Sequence, residues 1–175
     1  MIMTSDFDDT LFPNLNHPEM IEVGVGELAI GQHPNYLMTP ALGSCVGLCL
    51  WDAALKQGGL AHVMLPTTLD SMTHGTERRF ASFAVAEMVH LLHEAGSPRR
   101  RLVAKMAGGA TMFRSEGTMA HIGERNAAEV RRQLDLLNIP LIAEDTGERH
   151  ARTLELRLDT GEMVVRSYLY GVHRL

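Results

Sequence analysis

The chain has 175 residues, of which 45% are hydrophobic and 21% are charged, and its formal net charge is −5 at pH 7. This length suits one domain with a hydrophobic core, and the apolar content excludes a disordered chain. Without a basic surplus the chain lacks the electrostatics of a nucleic-acid binder, and no apolar run approaches the roughly 20 residues of a membrane span. The acidic N-terminus is unlike a signal or transit peptide, so we expect a cytoplasmic protein without membrane insertion.

The N-terminal third is predicted to begin without regular structure. Residues 1–20 combine acidic residues, asparagines and two prolines with no sustained periodicity, and we expect a poorly ordered arm there. A domain over residues 21–175 follows. It opens with residues 21–27, which alternate apolar with small or polar residues as a strand does. Residues 32–40 contain two prolines and are predicted to be a loop.

Two short apolar runs, residues 45–51 and 60–65, are predicted to form a β-hairpin. The connector between them contains Gly58 and Gly59, which interrupt the apolar pattern. Antiparallel pairing then places residue 62 or 64 opposite Cys45, and either register puts Cys45 and His62 on one face of the sheet. Their Cβ atoms would lie roughly 5–8 Å apart. A register slip of one residue would instead separate them to opposite faces.

Two amphipathic helices are predicted, over residues 77–95 and 126–137, because apolar residues recur there at helical spacing. Gly96 and Pro98 end the first helix, and Pro140 lies beyond the end of the second. The predicted core face of the first helix consists of Phe80, Phe83, Ala84, Met88, Leu91, Leu92 and Ala95.

The remaining strands are short. They are predicted over residues 102–106 and 141–143 and in a C-terminal hairpin, residues 153–158 with 163–169. The strand at 102–106 leads into Gly108-Gly109, which we interpret as a turn where two backbones approach closely. This order of elements predicts a single α/β domain with a mixed β-sheet and helices packed on it.

The residues of the predicted hairpin carry the most specific chemistry. A histidine beside a cysteine can take the thiol proton and leave a nucleophilic thiolate, and Gly43-Ser44 can offer backbone N–H groups to an oxyanion. The alternative is that Cys45 and His62 are ordinary core residues, since buried cysteine packs as a small hydrophobe. Cys49 is interpreted as core, and on one strand it lies too far from Cys45 for a disulfide.

Other candidate sites are weaker. His90 and His93 are three residues apart on a predicted helix, where Glu87 or Glu94 offers a further metal ligand. Because no additional ligand motif accompanies them, a solvated helix face is the preferred interpretation. We therefore expect neither a metal nor an organic cofactor.

Several separated motifs in the chain resemble one family. They comprise residues 39–49 (TPALGSCVGLC), 58–66 (GGLAHVMLP), 105–112 (KMAGGATM), 122–126 (IGERN), 139–147 (IPLIAEDTG) and 159–161 (DTG). In this order they resemble the CheD family, the chemoreceptor glutamine deamidases of bacterial and archaeal chemotaxis. The resemblance covers about residues 22–168 and implies a CheD-like layered sandwich.

The resemblance also implies an activity and its residues. Cys45 matches the nucleophile of the family, His62 the catalytic histidine, and Thr39 the third member, which orients His62. The implied reaction converts glutamine side chains of methyl-accepting chemoreceptors to glutamate through a thioester. The implied partners are the cytoplasmic helices of those receptors, the phosphatase CheC and, through it, CheY.

The chain departs from the family pattern in its loops. The family commonly has glycine where this chain has Ala41 and an apolar residue where it has Pro40, and residues 148–152 replace a glycine-rich stretch that ends in an arginine. Two alternatives stay open. One is a docking regulator of chemoreceptors or of CheC with little or no catalysis, and the other is a thiol enzyme of a different specificity, such as a peptidase or transglutaminase-like enzyme.

Overall fold

A computed structural model describes residues 18–67, 75–112 and 121–175. Residues 1–17, most of the predicted arm, lie outside the described residues. In chain order the elements are β1 (Met20–Glu22), β2 (Leu28–Gln32), β3 (Tyr36–Leu42), β4 (Val46–Asp52), β5 (Gln57–Val63), α1 (Ala81–Glu94), β6 (Leu102–Gly108), α2 (Ile122–Leu136), β7 (Leu141–Thr146), β8 (Arg152–Arg157), β9 (Met163–Ser167) and β10 (Gly171–Arg174).

The strands form two five-stranded mixed sheets. The outer sheet has the order β1-β3-β8-β9-β10, and the central sheet has the order β2-β5-β4-β6-β7. In each sheet one pair is parallel, β1 with β3 and β6 with β7, and the other pairs are antiparallel. Both helices pack on the face of the central sheet that is turned away from the outer sheet. None of the helices in the described ranges is long and apolar enough to cross a bilayer.

Strand β4 shows how the sequence builds these layers. Val46, Leu48 and Leu50 pack in the cluster beneath the helices, whereas Cys49 packs in the cluster between the sheets. Because successive side chains of a strand point to opposite faces, a strand buried on both sides must be apolar throughout. The near-continuous apolar run of this segment is therefore the pattern of a strand inside a three-layered domain.

The predicted fold class is confirmed: the chain is a single α/β domain with helices packed on mixed β-structure. The strands divide between two sheets, and β2 and β10 were not anticipated. The hairpin of β4 and β5 is confirmed, although Gly58 and Gly59 lie inside β5. The C-terminal hairpin of β8 and β9 is confirmed as well.

The helix boundaries differ from the prediction at their N-terminal ends. Residues Glu77–Arg79 form a 3-10 turn before α1, and α2 begins four residues earlier than expected. Phe83, assigned to the core face of the first helix, is instead 39% exposed. Its neighbour Ala84 and the residue Met88 occupy the buried face. Helical spacing alone does not resolve which of two adjacent apolar residues lies at the centre of the buried stripe.

The prediction of a loop over residues 32–40 is wrong, because residues from Tyr36 onward form β3. Pro40 misled the prediction, since a strand normally needs the N–H that proline lacks. In the structure the pairing of β3 with β8 is interrupted between Thr39 and Leu42, which is a bulge. Pro40 therefore lies where the ladder requires no donor. The strand expected over residues 21–27 is also shorter, because β1 ends at Glu22.

Ala41 in this bulge has a φ of 56°, a left-handed conformation that favours glycine. We expect Ala41→Gly to increase the free energy of unfolding by about 0.5–1 kcal/mol, because relief of the Cβ strain exceeds the added flexibility of the unfolded chain. Chemical denaturation of both proteins measures this difference. A variant that is less stable than the parent would show that the bulge does not strain Ala41.

Candidate functional site

Thr39 and His62 meet between the two sheets. Thr39 lies on β3 of the outer sheet and His62 on β5 of the central sheet, and both are completely buried. Thr39 Oγ1 lies 2.7 Å from His62 Nδ1 and 2.6 Å from the carbonyl oxygen of Val23. One hydroxyl group therefore links the imidazole to the backbone that follows β1.

These two distances assign the tautomer of the imidazole. A carbonyl oxygen only accepts hydrogen bonds, so the Thr39 hydroxyl proton is donated to Val23, and Oγ1 must accept from Nδ1–H of His62. The proton of the neutral ring is thus held on Nδ1, and Nε2 carries the lone pair. His62 Nε2 is buried and has no hydrogen-bond partner among the described residues. His62 is consequently arranged as a base, because the lone pair of Nε2 is free to accept a proton.

The backbone of His62 is fixed by the turn between β1 and β2. Its N–H donates to the Glu27 carbonyl at 2.9 Å, and its carbonyl accepts from Gly26 N–H at 3.0 Å. Directly opposite on β4 is Gly47, where an added Cβ would lie 2.9 Å from Leu42 Cδ1 and 3.5 Å from Thr39 Cγ2. Glycine at this position lets the two sheets close around the Thr39–His62 pair.

Cys45 lies immediately before β4, on the same face as His62. The register pairs Val46 with Val63 and Gly47 with His62. Continued by one residue, it places Cys45 opposite Met64 and diagonal to His62, which is one of the two registers expected from the sequence. Diagonal neighbours have Cβ atoms about 7 Å apart. The continued register thus sets Cys45 near His62 at the end of the hairpin, and Thr39 contacts His62 from the outer sheet.

The backbone of Cys45 is held by the glycine turn after β6. The Cys45 carbonyl accepts from Gly109 N–H at 2.8 Å, and the Gly43 carbonyl accepts from Ala110 N–H at 2.9 Å. Gly108 has a φ of 108°, and a Cβ there would collide with the Cys45 carbonyl oxygen. The close backbone approach predicted for Gly108-Gly109 is therefore confirmed, and it is made to the residue that carries the thiol.

The Ser44 and Cys45 N–H groups have no backbone acceptor within the part of the chain that the structure describes. The carbonyls of Gly43 and Cys45, by contrast, are both bound. This leaves two adjacent donors beside the thiol. Adjacent N–H groups without a backbone acceptor are the kind of donor that can stabilise an oxyanion.

One further residue at the site was not singled out by the sequence. Asn126 on α2 is completely buried, and its Nδ2 donates to the Ser44 carbonyl at 2.9 Å and to the Met64 carbonyl at 2.8 Å. Asn126 belongs to the IGERN motif, but helical periodicity treats it only as a position near the start of a helix. The signal that the sequence offers is an asparagine placed among the apolar residues of that helix face.

Burial determines the charge state of the pair. It raises the pKa of the Cys45 thiol above its ordinary value and lowers the pKa of His62 to about 4. Both shifts disfavour the charged form in an apolar environment. At neutral pH the site therefore rests as a thiol and a neutral imidazole rather than as a thiolate–imidazolium ion pair.

The lowered pKa of His62 predicts a loss of stability in acid. In the unfolded chain the imidazole takes up a proton below its ordinary pKa of 6.5, whereas in the folded chain it stays neutral down to about 4. Acidification between these values favours unfolding, at a cost on the order of 3 kcal/mol when it is complete. We expect the stability difference between the parent and His62→Gln to shrink by this amount from pH 7 to pH 4.

Chemical denaturation across this range measures the effect. Glutamine retains polar groups but does not titrate, so the comparison cancels the contribution of every other ionisable group. A stability difference that is constant with pH would contradict a buried neutral His62.

The other candidates for chemistry are placed elsewhere. Cys49 is buried between the sheets, and both cysteines are free. Desolvation raises the pKa of the Cys49 thiol far above its ordinary value, an effect that nearby Lys105 opposes. His90 and His93 are exposed on α1, as their interpretation as a solvated face required. Within the described ranges, no group of three or more His, Cys, Asp or Glu residues is arranged to hold a metal ion.

Comparisons with known proteins show which family the chain belongs to. A family model described as CheD chemotactic sensory transduction matches residues 64–167. The chain is 42% identical over 153 residues to "Probable chemoreceptor glutamine deamidase CheD" of Moorella thermoacetica. This aligned region covers 86% of this chain and 92% of that protein. It is 44% identical over 161 residues to "Probable chemoreceptor glutamine deamidase CheD 2" of Geobacter metallireducens, with 90% of this chain and 99% of that protein covered.

A third relative, "Chemoreceptor glutamine deamidase CheD" of Bacillus licheniformis, is 42% identical over 156 residues, which span 87% of this chain and 93% of that protein. The identity in all three cases extends over nearly the whole of both chains. The family resemblance recognised in the separated sequence motifs is thereby confirmed, and the chain belongs to the CheD family.

Proposed function

We propose that this protein is a protein-glutamine deamidase that converts glutamine side chains of methyl-accepting chemoreceptors to glutamate, with Cys45 as its nucleophile. The observation that carries the proposal is the buried Thr39–His62 hydrogen bond, which leaves Nε2 of His62 without a proton and without a hydrogen-bond partner among the described residues. The names of the relatives support the substrate class. The catalytic domain spans residues 21–175 in this proposal.

The reaction begins when Nε2 of His62 accepts the thiol proton and Sγ of Cys45 attacks the side-chain carbonyl carbon of the glutamine. The carbonyl oxygen becomes an oxyanion, which the N–H groups of Ser44 and Cys45 stabilise. Because the site rests as a neutral pair, this proton moves as the thiol attacks. Sγ does not donate to Nε2 in the described structure, so the contact forms as Sγ reaches an electrophile, and catalytic contacts are often longer in the free enzyme.

In the second half of the reaction His62 acts as an acid. The imidazolium donates its Nε2 proton to the amide nitrogen, the C–N bond breaks, and ammonia leaves a γ-glutamyl thioester on Cys45. Burial, which lowers the pKa of His62, favours release of this proton to the leaving group. Water then attacks the thioester with His62 as base, which releases glutamate and restores the thiol. Each step uses only side chains and backbone groups of this chain and a water molecule.

Thr39 has the role that an aspartate or asparagine has in other triads, but it carries no charge. We expect Thr39→Val to lower kcat by about 10- to 100-fold, because Nδ1–H loses its acceptor and the ring loses both its tautomer and its orientation. Thr39→Ser keeps the hydroxyl and serves as the matched control, with near-parental activity. Steady-state deamidation of a receptor fragment measures both. Equal rates for the valine and serine variants would contradict this role.

The substrate class suggests how the product acts. Each conversion adds one negative charge to a packed helical receptor bundle and creates a glutamate that accepts a methyl group. From family membership we propose cytoplasmic action and an interaction with a CheC-type phosphatase and, through it, with CheY.

Ammonia release from a purified cytoplasmic fragment of a chemoreceptor tests the deamidase. Release that depends on enzyme concentration supports the proposal. A folded protein that binds the fragment without releasing ammonia would overturn it and would leave a docking regulator as the function.

A further inference from the structure

The hairpin ladder ends one residue short of the nucleophile. Val46 and Val63 are its last paired residues, so Cys45 and Met64 are the first opposing residues that no ladder hydrogen bond connects. Asn126 spans this gap from α2, since its Nδ2 donates to the carbonyls of Ser44 and Met64. One side-chain amide thereby connects the segment that carries Cys45 to the strand that carries His62.

The carboxamide is kept at this position despite a cost. Asn126 is 0% exposed, and its Oδ1 is buried with no hydrogen-bond partner among the described residues. A buried acceptor without a partner is destabilising, and an apolar side chain of similar shape would avoid that cost. The two donated hydrogen bonds are therefore the feature that only asparagine supplies here.

The helix that carries Asn126 is itself fixed against the turn that holds Cys45. A Cβ on Gly123 would lie 2.5 Å from the Gly109 carbonyl oxygen, and a Cβ on Gly109 would lie 2.9 Å from the Gly123 carbonyl oxygen. Two glycines thus allow the first turn of α2 to touch the loop whose Gly109 N–H binds the Cys45 carbonyl. Asn126 and Gly109 thus bind the thiol-bearing segment from two elements that pack directly on each other.

We propose that Asn126 is a positioning residue for the reaction, whose amide sets the separation between Cys45 and His62. This inference rests on the proposed function, but it concerns the reactivity of Cys45 and can be measured without a receptor. A displacement of about 1 Å at reacting atoms lowers rates by up to 100-fold. Loss of the tether is expected to act on the rate of the chemical step rather than on receptor affinity.

The test compares Asn126→Leu with Ser97→Ala. Ser97 is equally buried and donates to Gln57 Oε1 at 2.8 Å at the opposite end of β5, so its loss removes a buried hydrogen bond far from Cys45. For each protein we would measure the free energy of unfolding, the pH profile of Cys45 alkylation by iodoacetamide with peptide mass mapping, and kcat and KM on a receptor fragment.

We expect Asn126→Leu to alkylate Cys45 about 10- to 100-fold more slowly at neutral pH, and to lower kcat by a similar factor with KM within about twofold. Ser97→Ala should retain the parental profile. The proposal would be overturned if Asn126→Leu and Ser97→Ala lose a similar amount of stability and Asn126→Leu still has the parental alkylation rate and kcat. If Asn126→Leu does not fold, Asn126→Asp replaces it. Aspartate has the same shape, but its carboxylate faces the two carbonyl oxygens instead of donating to them, so we expect the same slowing. Parental rates in Asn126→Asp would also overturn the proposal.

The alkylation measurement tests the positioning role of Asn126 separately from the deamidase activity. Slower alkylation in Asn126→Leu together with a parent that deamidates no receptor would support the positioning role while contradicting the deamidase. Parental alkylation in the variant of an active deamidase would contradict only the positioning role.

Discussion

Cys45→Ala is expected to lower deamidation of a chemoreceptor fragment by at least about 10⁴-fold while leaving the fold intact. Removal of the nucleophile eliminates the thioester route, and such losses in other nucleophilic enzymes are of this size. Cys45 is only half-buried, so loss of its sulfur costs little stability. Initial rates of ammonia release, beside thermal unfolding of both proteins, measure the two effects.

Cys49→Ala is the matched control for this substitution. Cys49 is fully buried between the sheets, so its truncation leaves a small cavity and is expected to cost more stability than the change at Cys45. Its activity, however, should remain near the parental value. Cys45→Ala is therefore expected to lose activity and keep its stability, whereas Cys49→Ala is expected to lose stability and keep its activity. A Cys49→Ala protein that is folded but inactive, or an active Cys45→Ala protein, would contradict the assignment of the nucleophile.

Gly108→Ala is expected to have the second largest effect. It should lower the free energy of unfolding by about 3 kcal/mol or more, and it should abolish most of the activity. The left-handed φ of 108° strains any residue with a Cβ, and that Cβ would also collide with the Cys45 carbonyl oxygen. To relieve the contact, the segment that carries the thiol must shift relative to β6, and this shift changes its position relative to His62 on β5. Chemical denaturation and the deamidation rate measure the two consequences.

Gly171→Ala separates strain from contact. Gly171 also has a left-handed φ, of 74°, but an added Cβ there meets nothing within 4 Å. Its substitution should cost about 1 kcal/mol from backbone strain alone and leave activity unchanged. Equal effects of the two substitutions would show that the contact between Gly108 and Cys45 does not matter.

The site illustrates what local sequence patterns can predict. Alternation along two neighbouring strands selects Cys45 and His62, because a hairpin of known turn position fixes which residues share a face. Thr39 was not accessible by that route. It lies on a strand of the other sheet, in a segment whose proline indicated a loop, and only the family resemblance identified it.

Asn126 was missed for a related reason. It contacts Ser44 and Met64 across 82 and 62 residues of sequence, a distance over which periodicity within one element carries no information. The division of the strands into two sheets was likewise beyond local patterns, since a strand buried on both faces has the same composition whether helices or a sheet cover it. Two departures from the family pattern, at Ala41 and Glu148, fall on positive φ values of 56° and 57°, a conformation that glycine adopts without strain.

Peptide mass spectrometry of a chemoreceptor cytoplasmic fragment, after incubation with this protein and in parallel with Cys45→Ala, tests the central claim most directly. The proposed function predicts conversion of glutamine to glutamate at discrete sites with the parent and none with the variant. Unchanged glutamines in fragments that the folded parent demonstrably binds would contradict the deamidase and indicate that the protein acts on receptors by docking.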